Sequence, residues 1–392
     1  MKPLILAPDA YLRAVTLRDL TDPAQGPHAL QRVVAVITHA LRTRWHCAVQ
    51  EHRAHPVVPL EHNYDRLHYP ADGAARDARY TRYVSETTVL RTQTSAMIPS
   101  LLRQIAQQQP RDVLLVCPGL VYRRDQIDRL HTGEPHQLDV WRIAAHPLGH
   151  AQLQEMVTTV VAALLPGAEH RCNAVAHPYT LDGLEIEVRE GSHWVEIGEC
   201  GLALPAILEE AGLPISKYSG LAMGLGLDRL LMLVKRLDDI RALRSTDPRV
   251  AAQMLDLEAY RPVSQQPPIR RDLSLAVDMT RSAEELGDCV RQALGTRVQS
   301  LESVEVIAET AYQNVTPDAR ARIGMQHGQK NVLLRIVIRD LVRTLTREEA
   351  NELRDDVYMA LHEGSVCQWA GARAERKGAG DGEEGADNVD SR

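Results

Sequence analysis

Leu184-Glu185-Ile186-Glu187-Val188 alternates apolar with polar residues, Gly191-Ser192 supplies a turn, and His193-Trp194-Val195-Glu196-Ile197 alternates again. Two period-two segments joined by so short a connection pair antiparallel, because parallel partners need a crossover of a dozen or more residues. The run of strands extends over residues 177 to 202, and Gly220 to Arg244 then passes from a glycine-rich strand into a helix. Upstream, Asp112-Val113-Leu114-Leu115-Val116-Cys117-Pro118 reads as a buried strand stopped by proline. Helices are predicted over His28 to Trp45, where Leu30, Val33, Val34, Ile37, Leu41 and Trp45 recur at three and four, and over Leu148 to Leu165. Strands and helices do not strictly alternate, so the expected fold class is α+β, an antiparallel sheet flanked by helices rather than a parallel doubly wound one.

Pro262, Gln265, Gln266, Pro267 and Pro268 mark residues 257–269 as a linker. Beyond it the order strand (273–277), helix (282–294), strand (298–306), strand (332–338), helix (347–361), short strand (366–369) spells a ferredoxin-like βαββαβ unit. Its second helix opens on Thr346 with Glu349 three residues on, a capping box that satisfies two orphan backbone donors. The expected organisation is an extended, proline-bearing arm at 1–27, an α+β domain at 28–256, the linker, the βαββαβ domain at 270–369, and a polar, glycine-rich tail at 370–392 that is disordered because it has nothing to bury.

The formal charge of −7 over 392 residues excludes a histone-like electrostatic DNA binder but leaves room for a local basic face toward RNA. Six scattered cysteines with no C-x-x-C pair exclude a disulfide framework and a four-cysteine zinc site. No apolar run is long enough for a signal peptide or a membrane span, so a cytoplasmic location is expected. The chain contains no phenylalanine. Codon bias is visible in 5 lysines against 40 arginines, yet Ile, Tyr and Asn survive, so bias alone does not account for that absence.

Two constellations carry chemistry. Leu120 through Asp139 places Arg123, Arg124, His131, His136, Gln137 and Asp139 on what reads as two strands and a polar loop. Arginine takes phosphoryl oxygens bidentately, and amide and carboxylate groups hold an ammonium. A solvated hairpin rich in charge fits the same residues. Gly220-Leu221-Ala222-Met223-Gly224-Leu225-Gly226-Leu227-Asp228-Arg229 matches neither a P-loop nor a placed G-x-G-x-x-G. Its glycines serve either ligand approach or packing. Lys235, Arg236, Arg241, Arg244 and Arg249 form either a phosphate-facing stripe or a solvated helix face. His146 and His150 sit at metal-ligand spacing, but Pro147 stands where a zincin needs glutamate.

In this order and about 100 residues apart, the two constellations resemble motifs 2 and 3 of class II aminoacyl-tRNA synthetases, in detail those of the phenylalanyl-tRNA synthetase family. Leu90-Arg91-Thr92-Gln93-Thr94-Ser95 is similar to that family's substrate-proximal segment. Asn63-Tyr64-Asp65 with Leu67 and Pro70 resembles its upstream signature, and Trp194-Val195-Glu196 with Cys200-Gly201 the strand before motif 3. Residues 270–278 and 343–349 resemble the ferredoxin-fold anticodon-binding domain, as in the single-chain mitochondrial form. The resemblance implies activation of phenylalanine or a similar large apolar amino acid by ATP and Mg²⁺, then transfer to tRNA bound through the C-terminal domain. It implies Arg123 on the α-phosphate and carboxylate, Arg229 on the γ-phosphate, His131 and His136 along the triphosphate, and Glu196 as a magnesium or nucleotide contact. Gln93, Ser95, Gln137 and Asp139 would surround the amino acid's head group, and Leu221, Ala222 and Met223 its side chain. Pro135 stands where the family stacks a ring on adenine, and Leu221 and Met223 stand for two rings expected at the substrate's phenyl edge. Two alternatives stay open, a synthetase paralogue that passes the activated amino acid to a non-tRNA acceptor and a non-catalytic tRNA-binding regulator; the latter has no chemical need for Arg123, Gln137 and Arg229.

Overall fold

The computed structural model describes residues 5–76, 80–124, 127–263 and 266–367; the predicted tail, Gln368 and Trp369 of the last predicted strand, and the first four residues of the arm lie outside them. The chain divides into two units at Gln265/Gln266.

The first unit is built on a seven-stranded sheet. Its strands are β1 (Ala48–Glu51), β4 (Asp112–Leu120), β5 (His136–Ala144), β6 (His170–Ala174), β7 (Thr180–Glu190), β8 (His193–Ala203) and β9 (Ser219–Gly226), while β2 (Val57–Pro59) and β3 (Thr88–Leu90) form a separate small ladder. The spatial order is β1-β4-β5-β9-β8-β7-β6, antiparallel throughout except where β1 joins β4. Gly191 holds φ at 57°, the left-handed conformation that a two-residue β7–β8 hairpin turn demands. Pro118 does not stop β4 as expected, because β1 pairs only as far as Val116 and no ladder partner on that side needs the missing N–H.

Side chains alternate across the sheet, and each face meets different partners. Leu138, Val140, Leu221, Met223 and Leu225 pack with the helices Ala29–Trp45, His150–Leu164 and Leu227–Lys235. Cys117, Trp141, Ile143, Tyr179 and Ala222 pack with the helix Ile98–Gln108 and the segment Pro205–Leu213. The helix Ala29–Trp45 starts where periodicity placed it, with the His28 ring accepting the Leu30 N–H at its N-cap.

The arm is a correction. Residues 8–15 are helical rather than extended, since proline at the first helical position costs no hydrogen bond, and Ala14 packs against buried Tyr122, whose hydroxyl donates to the Ala14 carbonyl. Leu20 is buried, and Arg53 donates to the Thr21 hydroxyl and carbonyl. The first half of the linker is another correction: buried Lys235 donates to the carbonyls of Asp256 and Glu258 and to the Asp256 carboxylate, and Tyr260 donates its N–H to the Lys235 carbonyl. An ammonium so completely buried must collect such acceptors, so residues 257–260 of the expected linker belong to the first unit.

In the second unit β10 (Ile269–Asp278), β11 (Leu301–Ala311) and β12 (Gln329–Ile338) form an antiparallel sheet in the order β10-β12-β11. The helices Ala283–Leu294 and Arg347–Leu361 pack together, and both carry capping boxes, Ser282 with Glu285 and Thr346 with Glu349. Sequence reading missed the helix Pro317–Ile323 between β11 and β12. Val366 and Cys367 are not in a strand. There the Ser365 N–H turns instead to the carbonyl of Gly324, whose φ of 60° ends that helix.

Candidate active site

β5 carries the site by strand alternation. Gln137, Asp139 and Trp141 project to one face, and His136, Leu138 and Val140 to the other. Asp139 is fully buried and accepts from the Thr94 hydroxyl (2.8 Å), the Ser95 hydroxyl (2.8 Å) and the Trp141 indole N–H (3.3 Å). Burial pushes its carboxyl above the usual carboxylate range, and these bonds and the Arg123 charge only partly oppose that. Gln137 accepts the Thr94 N–H at 3.4 Å, and Gln93 bridges the Asn63 carbonyl and the Tyr69 hydroxyl, each at 3.0 Å. The 3₁₀ turn Thr94–Met97 thus sets Gln93, Ser95, Gln137 and Asp139 side by side.

Arg123 follows β4 where the β4–β5 ladder continues beyond the strands, Val121 N–H to the Pro135 carbonyl and Arg123 N–H to the Gly133 carbonyl, both 2.9 Å. Its side chain is exposed and held by one bond, Nε to the Thr92 carbonyl at 2.9 Å, and its charge acts on Asp139, Glu199 and Tyr69. Pro135 is half-buried at the same loop. A second group gathers at the start of the helix Leu227–Lys235. Arg229 donates to the Glu196 carbonyl (2.8 Å) and carboxylate (3.3 Å) and lies 3.3 Å from His131 Nε2, while His131 Nδ1 pairs with Asp128 at 2.8 Å. Three residues distant in sequence therefore form one exposed polar cluster.

Two expectations are corrected. His136 does not face this cluster: its ring is fully buried, Nδ1 pairs with Asp228 at 2.9 Å, and Nε2 accepts from the Leu20 N–H at 3.1 Å and lies 3.2 Å from Arg244. Position 136 falls on the sheet face opposite Gln137, so it positions rather than contacts. Leu221 and Met223 likewise point into the helix layer, and only Ala222 reaches the site side, opposite Trp141. Phenylalanine introduced at Leu221 or Met223 is expected to destabilise the protein by about 1–3 kcal/mol through overpacking. The order of preference among amino acids stays unchanged; thermal melts and exchange assays on both variants check this.

The basic stripe does not form. Arg241 and Arg249 fold back on Asp239 and Asp247, Arg244 is bonded to the Arg18 carbonyl, and Lys235 is buried. His150 pairs with Asp182 on the surface, at 3.0 Å.

What sequence reading missed is a buried aromatic stack beside the polar group. Tyr179 stacks with Trp141 (centroids 6.1 Å, 25°) and with His177 (6.0 Å, 26°), and Tyr69 tilts against it at 6.2 Å. Burial drives the Tyr179 phenol well above its ordinary range and Tyr69 to about 12. Trp141 was visible as the residue two beyond Asp139 on one strand; Tyr179 carried no local signal, because it comes from the loop before β7.

The arrangement is that of a class II synthetase catalytic unit: an antiparallel sheet with one arginine following β4, another at the first turn of the helix after β9, and the polar group Gln93, Ser95, Gln137 and Asp139 on one side of the sheet. Residues 15–254 match the family described as "tRNA synthetases class II core domain (F)", more than half of the chain, and the chain belongs to that family. Residues 264–365 match the ferredoxin-fold anticodon binding domain. Among curated proteins it is similar to the phenylalanine–tRNA ligase alpha subunits of Prochlorococcus marinus strain NATL2A, 37% identical over 49% of this chain and 56% of that subunit, and of Nostoc punctiforme, 31% over 49% and 57%. It is also similar to a chloroplastic/mitochondrial phenylalanine–tRNA ligase of Arabidopsis thaliana, 28% identical over 78% of this chain and 70% of that protein. The chain spans a little over half the length of the alpha subunits it matches.

Proposed function

We propose that this chain activates an amino acid of the phenylalanine class with ATP and transfers it to tRNA. The observation that carries this reading is the convergence on one side of the sheet of Gln93, Ser95, Gln137 and Asp139 beside Arg123, with Arg229, His131 and Glu196 grouped together at the next helix. The names of its relatives support it. In the first step the amino acid's carboxylate oxygen attacks the α-phosphorus of ATP and pyrophosphate leaves; Arg123 orients both oxygens, and Asp139 with Gln137 holds the ammonium. In the second a ribose hydroxyl of the acceptor attacks the acyl carbon and AMP leaves. No protein nucleophile is required, so the rate comes from positioning and charge complementarity.

Among the described residues no three His, Cys, Asp or Glu side chains form a metal cage. That fits magnesium carried on nucleotide phosphates, which asks the protein for one or two carboxylates, and half-exposed Glu196 beside Arg229 supplies a hard oxygen donor there. The ion would neutralise phosphate charge, and Arg229 and His131 would orient the chain of phosphates.

An acceptor other than tRNA is a second reading, favoured by the charge of the C-terminal domain: residues 266–367 hold 13 Lys or Arg against 16 Asp or Glu. Arg335 on β12 is also taken up by Asp272 on β10, at 2.8 Å. Amino-acid-dependent ATP–pyrophosphate exchange, followed by acylation of total tRNA, tests both. Exchange with acylation supports the first reading, exchange without it the second, and no exchange sinks activation altogether.

A further inference from the structure

Asp139 on β5, Gly224 on β9 and Glu199 on β8 stand opposite one another across three adjacent strands, so all three face the same side of the sheet. Two strand spacings place the backbones of the carboxylates about 10 Å apart. The gap between them is open, since a Cβ at Gly224 would meet only the Asp139 carboxylate, at 3.9 Å. Asp139 is buried at one end, where it accepts from Thr94, Ser95 and Trp141 and keeps acceptor capacity for one more donor. At the other, Glu199 keeps 40% of its side chain exposed, and its carboxylate lies 2.8 Å from His177 Nε2, whose ring is nine-tenths buried and stacked on Tyr179. The Thr180 hydroxyl sits 3.3 Å from His177 Nδ1 and fixes the ring from behind. Burial alone would raise the Glu199 carboxyl, but His177 at 2.8 Å, with the Arg123 charge, holds it below the usual range.

A purely apolar ring does not suit this end of the gap. Laid from an ammonium at Asp139 across Gly224 beside the Tyr179 ring, it would strip water from an ionised carboxylate and return no hydrogen bond. A ring carrying a donor replaces that water with a charge-assisted bond. Resting on the activation reading above, we propose that the preferred amino acid is aromatic and bears a hydrogen-bond donor, a hydroxyl or an amino group, on its ring, received by the Glu199–His177 pair across Gly224 from Asp139.

A site built to receive a donor discriminates strongly against the analogue lacking it, because its own polar groups are then left unpaired. The test is ATP–pyrophosphate exchange by the full chain with phenylalanine, tyrosine, 3-hydroxyphenylalanine and 4-aminophenylalanine. At least one donor-bearing amino acid is expected to exceed phenylalanine in kcat/KM by about 100-fold or more. In Glu199→Gln and His177→Phe that ratio should fall at least about tenfold. Preference of the unmodified protein for phenylalanine, which needs no variant to read, overturns the proposal and leaves activation standing. An unchanged ratio in both variants overturns it as well. Exchange with no amino acid at all overturns the activation reading and this one with it.

Discussion

Arg123→Ala is expected to lower amino-acid-dependent pyrophosphate exchange by about 10²–10³-fold while the thermal midpoint barely moves. The charge that develops on the α-phosphoryl group during transfer needs a preorganised donor, and removing one such donor from a site of this kind costs about 2.7–4 kcal/mol of transition-state stabilisation. The fold asks little of the same side chain: it is exposed and makes one hydrogen bond, to the Thr92 carbonyl. Losing an exposed bond of that sort costs at most about 1 kcal/mol. Lysine at this position should recover only part of the rate, because it offers a point charge where a fork is needed to bind two oxygens at once. Comparing exchange rates with calorimetric midpoints for the three proteins separates the effects. A loss of rate matched by a fall in midpoint would show that Arg123 holds the loop rather than the phosphate.

Sequence periodicity was enough to read the antiparallel β7–β8 hairpin, the helix Ala29–Trp45 and the two capped helices of the second unit, since each depends on local spacing and turn chemistry. Gln93, Ser95, Gln137 and Asp139 were brought together by the family resemblance rather than by periodicity, and the structure sets them side by side. Facing was the weak point. Leu221 and Met223 look like pocket residues beside Ala222, yet consecutive residues of a strand point to opposite sides, and three neighbours cannot all line one cavity. The same rule separates His136 from Gln137. Glu199 escaped notice because its meaning lies in a cross-strand neighbour, Gly224, and in a histidine 22 positions earlier. The helix at 8–15 escaped because proline reads as a breaker unless it falls at a helix start.

His136→Ala is expected to destabilise the first unit strongly, although His136 lies on the sheet face opposite Gln137 and Asp139. Its imidazole joins three parts of the chain: Asp228 at the first turn of the motif-bearing helix, the Leu20 N–H of the N-terminal segment, and Arg244 beyond the helix. Removing it leaves the Asp228 carboxylate buried with only the His136 backbone N–H and the Arg244 charge for company. Breaking a buried pair from one side costs about 3–5 kcal/mol. For a unit of this size that corresponds to a fall of roughly 10 °C in the thermal midpoint. The pH dependence carries a sign of its own. Burial would raise the Asp228 carboxyl, but the side-chain and backbone hydrogen bonds from His136, with the Arg244 charge, hold it below the usual carboxylate range. Its contribution is therefore complete above the unfolded value and disappears as pH falls through the lower folded one. Without the imidazole the folded carboxyl titrates higher, so acid unfolding of the variant should begin at a higher pH than that of the parent, followed by circular dichroism across pH 2–6. An unchanged acid limb with a lowered thermal midpoint would mean that the ring acts only by filling space. A shifted limb would show that the hydrogen bond between His136 and Asp228, at the first turn of the helix Leu227–Lys235, carries part of the acid stability of the first unit.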